Sequence, residues 1–262
     1  MCNGNRFFPL VAALSVVAAT VVACVAVFAN LTSNAAESWT PMSSGESWSC
    51  TYTRLGTTYT VNASPMTGDK NCLILVPIGI QASNGGRWEY VYPNGDGSGS
   101  TNAIYVNGVS GPTGMSNVQL YKSERAIKST GTWGNFHLEQ TMTVTTDGEI
   151  VHEMTFTYKG SGTFTGRLAP SIDTQLNGDD AIPISANGAD GGYIVGNDYT
   201  LAFDKINGVE TLYVGHWNTS KSGGEWYSCT GQPNDRLLVS GVDSATFYET
   251  PQLSLTSGQS YT

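Results

Sequence analysis

The sequence is short of charge. Only 13% of its 262 residues are Asp, Glu, Lys or Arg, about half of the usual share of roughly 25%. The charge that is present sums to −9, which argues against nucleic acid and anionic lipid surfaces as partners, because an acidic surface repels both. The sequence contains instead 31 Gly, 13 Tyr and 6 Trp among many Ser, Thr and Asn residues. This polar but uncharged composition is typical of extracellular β-proteins and of surfaces that face carbohydrate.

The sequence also lacks the motifs of several enzyme classes. It contains no G-x-S-x-G elbow, Walker loop, HExxH motif or glycine-rich dinucleotide fingerprint, which argues against serine hydrolases, NTPases, zinc proteases and Rossmann enzymes. Its cysteines form neither a C-x-x-C pair nor a Cys/His cluster, so a zinc site is not expected. We therefore predict no cofactor and no metal.

One uncharged segment dominates the amino terminus. Residues 7–29 contain no charged side chain, a length that suits either a signal peptide or a membrane span. Val27-Phe28-Ala29 fits a cleavage site, whereas Val21-Val22-Ala23-Cys24 resembles a lipoprotein lipobox. A cleaved signal, a retained anchor and a lipidated cysteine all place residues 30–262 outside the cell, because the positive end stays in the cytoplasm. The predicted location is secreted or cell-surface, with membrane contact only through an uncleaved leader.

Three cysteines follow the leader, namely Cys50, Cys72 and Cys229. In an oxidising compartment two of them could pair, in any of three ways, and the third cysteine would then stay unpaired.

From Trp48 onward, polar and apolar residues alternate with the period of two that marks strands with one buried face. Short strands separated by Gly/Asn/Asp turns predict an all-β fold, a large antiparallel β-sandwich over residues 46–262. A signal or anchor helix (1–29) and a Ser/Asn/Ala linker (30–45) precede it. The clearest hairpin turns at Asp147-Gly148, a two-residue signal, and this turn predicts that Glu139 lies near Phe156 and that His152 lies near Thr143.

The stretch from Phe136 to Ile184 carries a family resemblance. Its hairpin, its next strand and the bend IDTQLNGDDAIPI are similar to the β-supersandwich domains of large surface proteins from Gram-positive bacteria, which are distantly similar to the galactose-mutarotase-like fold. The resemblance implies this fold for about residues 45–262 and a mostly non-catalytic, adhesin-like or structural role. Mutarotases and polysaccharide-cleaving enzymes use related sandwiches for sugars, but their catalytic His and Glu match no residue here.

The acidic bend places Asp173, Asp179 and Asp180 close together in a sequence with little charge. Carboxylates in a loop can bind Ca²⁺, although this spacing is not that of an EF-hand. The same side chains can cap backbone N–H groups around a turn at Asn177-Gly178. We interpret the bend first as a structural corner and second as a ligand-facing loop.

Aromatic residues flank a later Gly/Ser loop, at His216-Trp217 and Trp226. Exposed rings beside amides and carboxylates stack on the C–H faces of sugars, whereas buried rings would belong to the sandwich core. The predicted ligand-binding residues are therefore Asp173, Asp179, Asp180, His216, Trp217 and Trp226.

Two functions follow from these patterns. The first is an exported bacterial cell-surface module, non-catalytic and structural or adhesive, whose partner is a glycan or a component of a host or envelope surface. The alternative is an accessory domain that binds or processes carbohydrate through its aromatic and acidic loops. General acid/base catalysis needs two groups held close together, and Glu139, Glu153, His137 and His152 form no pair that the predicted strands enforce. Enzymatic activity is left open, with no catalytic residue predicted.

Overall fold

The structure is a computed structural model that describes residues 38–65, 78–83, 89–91, 104–112, 114–173, 176, 183–187, 191–195, 200–205, 207–216, 227–228 and 244–262. These residues form strands, turns and loops and contain no helix, which confirms the all-β prediction. In this part of the chain there is thus no helix with the length and apolar character to cross a bilayer. The predicted leader helix lies outside the described residues, and the strands belong to one compact unit, Glu37–Thr262.

The strands, in chain order, are β1 (Thr40–Met42), β2 (Trp48–Arg54), β3 (Thr57–Ala63), β4 (Ile78–Ala82), β5 (Glu89–Val91), β6 (Ile104–Val106), β7 (Val109–Ser110), β8 (Ser116–Lys122), β9 (Ala126–Trp133), β10 (Phe136–Val144), β11 (Ile150–Tyr158), β12 (Thr163–Gly166), β13 (Leu168–Asp173), β14 (Ser185–Asn187), β15 (Gly191–Val195), β16 (Thr200–Asp204), β17 (Thr211–His216), β18 (Tyr227–Ser228), β19 (Ser244–Glu249), β20 (Leu253–Thr256) and β21 (Ser260–Tyr261).

Two six-stranded antiparallel sheets organise the fold. The outer sheet has the order β1-β8-β9-β10-β11-β21, and the inner sheet has the order β18-β17-β19-β13-β6-β7. A four-stranded sheet (β2-β3-β4-β5), a three-stranded sheet (β14-β15-β16) and the pair β12-β20 complete the described strands. The strand pairs are antiparallel, as hairpin connections require.

The main core lies between the outer sheet and the strands that face it. On β10 every second residue is buried, so one face of this strand supplies Leu138 and Met142 to the core. Opposite them, the same cluster contains Trp48 and Val61 from the four-stranded sheet and Leu168 from the inner sheet. Two layers that close their apolar faces on each other form a sandwich, so the predicted sandwich-like fold is confirmed. Kinship with the supersandwich domains stays a prediction.

The inner sheet is buried on both faces in its described part. Leu212 and Val214 of β17 pack with Ile194 of the three-stranded sheet. On the opposite face, Phe247 of β19 packs with Tyr105 of β6, their ring centroids 5.6 Å apart. Burial on both faces explains why the strands of this sheet read as mixed apolar runs rather than as clean alternation.

The hairpin β10–β11 corrects the register predicted from Asp147-Gly148. Thr145 N donates to Glu149 O at 2.9 Å, so the loop contains three residues rather than two. Gly148 adopts a φ of 86°, whereas Asp147 is not among the residues with positive φ. A turn followed by one left-handed glycine is the usual three-residue hairpin loop. The two-residue prediction was therefore wrong by one position.

This shift changes which residues share a face of the sheet, because side chains alternate along a strand. Glu139 lies opposite Thr155 rather than Phe156, and His152 lies opposite Met142 rather than Thr143. His152 consequently belongs to the core side of the sheet.

The outer sheet also begins earlier than the sequence predicted. β1, from Thr40 to Met42, pairs with β8, although it lies within the stretch 30–45 that was predicted as linker. A strand of three residues is too short to show alternation in the sequence, so only its pairing partner reveals it. Residues 40–42 of the predicted linker thus form a strand of the sheet.

Candidate functional site

The structure describes the backbone of two predicted ligand-binding residues. Asp173 is the last residue of β13 and lies opposite Ala245 of β19. His216 is the last residue of β17, and its neighbour Gly215 lies opposite the same Ala245. Both strands therefore end at the same end of the inner sheet, on either side of β19 and about 10 Å apart, two interstrand spacings. Asp179, Asp180, Trp217 and Trp226 lie outside the described residues.

A second surface, which the sequence analysis did not single out, is the outer face. We use this name for the side of the outer sheet that points away from the core on β8 to β11 and β21. Its side chains are half-buried or exposed, and hydroxyl groups predominate on its central strands. The threonines of this face on β9, β10 and β11 are Thr130, Thr132, Thr141, Thr143, Thr155 and Thr157.

Strand register aligns these side chains in rows that run across the sheet. One row, which we call the central row, consists of Gln119, Thr130, Glu139 and Thr155, one residue from each of four adjacent strands. Directly opposite residues on neighbouring strands are close enough to interact. A ligand that crosses the strands along this row therefore meets an amide, a hydroxyl, a carboxylate and a second hydroxyl in turn.

An aromatic and cationic cluster borders the central row. Lys128 Nζ lies 4.4 Å from the centroid of the Trp39 ring and 5.7 Å from that of Tyr121. It also lies 3.9 Å from Glu139 Oε2. A cation over an indole face is attracted by the ring quadrupole, so Lys128 holds Trp39 against the outer face. The indole is half-buried, and part of it faces solvent.

Gln119 is fixed in orientation by its neighbour. Tyr121 Oη donates a hydrogen bond of 2.8 Å to Gln119 Oε1. A glutamine amide has one carbonyl acceptor and two N–H donors, so this bond occupies the acceptor and leaves the donors for other groups. The outer face thus presents donors at Gln119, an acceptor at Glu139 and a ring at Trp39.

Among the described residues, an ionic network also surrounds Arg167 at the corner between β12 and β13. Arg167 Nη1 donates to Glu249 Oε1 and to Thr250 O, each at 3.3 Å, and it also pairs with Glu210. The hydrogen bond to Glu210 raises the pKa of Arg167. The network ties the corner to β17 and β19.

Burial shifts the pKa values of His152 and Cys50. Burial lowers the pKa of His152 from 6.5 to about 4, because desolvation disfavours the charged imidazole. His152 is on the core side of β11, whereas His137 and Glu139 are on the outer face. His152 therefore forms no acid/base pair with either of these two residues. Cys50 is a buried free thiol whose pKa is raised by burial. Cys72 and Cys229 lie outside the described residues.

Among the described residues, no group of three or more His, Cys, Asp or Glu side chains is placed to hold a metal ion. The absence of a metal-binding group does not extend to the acidic bend between Asp173 and Pro183, because most of that bend lies outside the described residues.

No protein-family model matches the chain. No curated protein matches it in sequence either. Functional interpretation therefore depends on the residues and geometry given above.

Proposed function

We propose that the chain is an exported, non-catalytic surface module that binds polysaccharide on the outer face. The observation that carries this proposal is the pairing of an aromatic platform, Trp39, with the row of polar groups beside it. Sugars present apolar C–H faces and hydroxyl edges, so a half-exposed ring next to amide, hydroxyl and carboxylate groups matches both kinds of surface. The low charge of the whole sequence and its uncharged leader are consistent with a protein that acts outside the cell.

The spacing of the strands supports a ligand that runs across them. Neighbouring strands are about 4.8 Å apart, which is close to the advance of one pyranose unit along an extended polysaccharide. A chain laid over Gln119, Thr130 and Glu139 would place successive sugar units over successive strands. An adhesive role follows, since a surface module that binds a polymer at several positions attaches its carrier to that polymer.

The test is a titration of the full chain with oligosaccharides of several compositions, followed by tryptophan fluorescence and by calorimetry. Trp39→Ala is expected to weaken binding at least about tenfold, since loss of an aromatic stacking platform removes about 1–3 kcal/mol. Leu55→Ala is the control, because Leu55 is 98% exposed at the β2–β3 turn and lies on a different sheet. Unchanged affinity of Trp39→Ala would refute the placement of the site, and no binding by any oligosaccharide would refute the function.

The end of the inner sheet is the second candidate location. The predicted loop residues Asp173 and His216 lie at the same end of the inner sheet, on either side of β19. Trp217→Ala separates the two locations: it should leave oligosaccharide binding intact if the outer face is the site, and should abolish it if the loops are.

A further inference from the structure

We infer that the polysaccharide bound by the outer face carries acetamido groups, as polymers of N-acetylated amino sugars do. This inference depends on the proposed function and adds the chemical class of the ligand. It comes from the way in which the donors and acceptors of the central row are arranged.

The donor end of the row is Gln119. Its carbonyl oxygen accepts the hydrogen bond from Tyr121 Oη at 2.8 Å, so the amide nitrogen is turned toward other partners. The exposed side chain presents two N–H donors. Such donors fit a carbonyl oxygen of the ligand.

The acceptor end is Glu139, two strands away with Thr130 between them. Lys128 Nζ lies 3.9 Å from Glu139 Oε2, which holds the carboxylate in place while the side chain remains 43% exposed. An ionised carboxylate only accepts hydrogen bonds, so it fits an N–H donor of the ligand.

An acetamido group satisfies both ends at once. Its carbonyl oxygen and its N–H lie on opposite sides of one planar unit, as they do in a trans peptide. Placed over Thr130, the group would direct its oxygen to Gln119 and its N–H to Glu139. A sugar hydroxyl donates and accepts through the same oxygen, so it spans less of the gap between two side chains whose backbones are about 10 Å apart, two interstrand spacings.

A β-bulge gives independent support. The register of β8 against β9 shifts between Ser116 and Gln119, and Asn117 adopts a φ of 55°. Bulges re-aim side chains and occur next to functional sites. Here the extra residue allows both Ser116 and Gln119 to lie opposite threonines of the outer face, which uninterrupted alternation would not.

The charges of the outer face favour a neutral ligand. Lys128 is paired with Glu139, and Glu153 is an exposed carboxylate on the neighbouring strand. A polymer of uronic acids would meet like charge, whereas an acetamido sugar brings none.

The experiment compares tetramers of β-1,4-linked N-acetylglucosamine and of β-1,4-linked glucose by calorimetry with the full chain. We expect the acetylated tetramer to bind at least about tenfold more tightly. Gln119→Glu replaces the amide donors with carboxylate acceptors in a side chain of the same shape. The ratio of the affinities for the acetylated and the glucose tetramer should therefore fall to near one. Gln81→Glu is the matched control, because it introduces the same charge on β4 of the four-stranded sheet and should keep the preference.

The outcomes separate the inference from the function on which it depends. Equal affinity for the two tetramers would overturn the acetamido inference and leave polysaccharide binding in place. A preference that survives in Gln119→Glu would overturn the role given to the central row. If neither tetramer nor any other oligosaccharide bound, both proposals would fail.

Discussion

At the scale of single residues, the core side of β11 contains a histidine, His152, whose buried environment disfavours the protonated imidazole. His152 faces Met142 across the sheet, and burial lowers its pKa to about 4. His137, on the paired strand β10, is exposed on the outer face. The two histidines therefore lie in different environments although they are on paired strands.

We expect His152 to make the fold less stable in mild acid. Its folded-state pKa lies below the ordinary 6.5, so the unfolded chain binds a proton more readily. The free energy of unfolding is therefore highest above pH 6.5, where His152 is neutral in both states. It falls as the pH is lowered toward 4, by a total on the order of 3 kcal/mol.

Urea unfolding at pH 7 and at pH 4.5 measures this effect. His152→Leu should lose less stability between these two pH values than the parent, because the carboxylates that titrate in the same range are common to both proteins. His137→Gln is the control and should behave as the parent does. An identical pH dependence in His152→Leu would show that the histidine is not the cause.

Residue patterns also show what the sequence could predict of the site. The alternating threonines of β10 and β11, Thr141 to Thr143 and Thr155 to Thr157, were visible as a period of two and could have indicated a hydroxyl-rich face. Trp39 and Gln119 could not be placed in the same way, because their positions depend on the pairing of β1 and on the bulge of β8. Long-range pairing and bulges leave no local signal.

At the scale of elements, Arg125 connects three segments. It lies in the turn between β8 and β9, donates from Nη1 to Thr51 O of β2 at 3.0 Å, and donates from Nε to Val144 O at 2.8 Å. A third bond runs from Nη2 to Thr145 O at 2.6 Å. The planar guanidinium suits such a fork of acceptors, and the outer sheet is thereby joined to the edge of the four-stranded sheet.

We expect Arg125→Met to lower the free energy of unfolding by about 2–3 kcal/mol, since hydrogen bonds from a charged donor contribute about 1.5–3 kcal/mol each and water replaces part of that. Arg125→Lys should recover only a fraction, because an ammonium group cannot reach three diverging carbonyls. Chemical denaturation measures both variants, with Arg54→Met, at an exposed position, as the control. Equal losses at the two arginines would contradict this role.

Elements differed in how well the sequence predicted them. The strands around Leu55-Gly56 can be recognised in the sequence, because Gly56 suits a turn and the flanking segments alternate; both turn residues adopt positive φ, 50° and 79°. The β10–β11 turn was misplaced because Asp147-Gly148 supports loops of two and of three residues, and the choice between them depends on the twist of the finished sheet.

At the scale of the whole molecule, the carboxyl-terminal segment closes the outer sheet. Ser260 and Tyr261 pair with Thr157 and Phe156 of β11. Tyr261 Oη donates to Gly208 O at 2.8 Å, which connects the last strand to the loop before β17.

Removal of residues 257–262 is expected to lower the melting temperature by several degrees, since it deletes the β11–β21 ladder and the Tyr261 bond together. Ser260→Ala is the matched control, because it removes only the hydroxyl contact with Thr157, 2.8 Å long, and should change the melting temperature little. Differential scanning calorimetry measures both. A truncated protein as stable as the parent would show that β21 is dispensable.

The outer sheet takes one border strand, β1, from near the start of the described chain and the other, β21, from its last residues. Pairing of segments so far apart in the chain is slow, because the loop between them must close before the contacts can form. The sheet is therefore expected to keep unpaired backbone groups at its borders until both segments have docked, so that its two border strands are added late in folding.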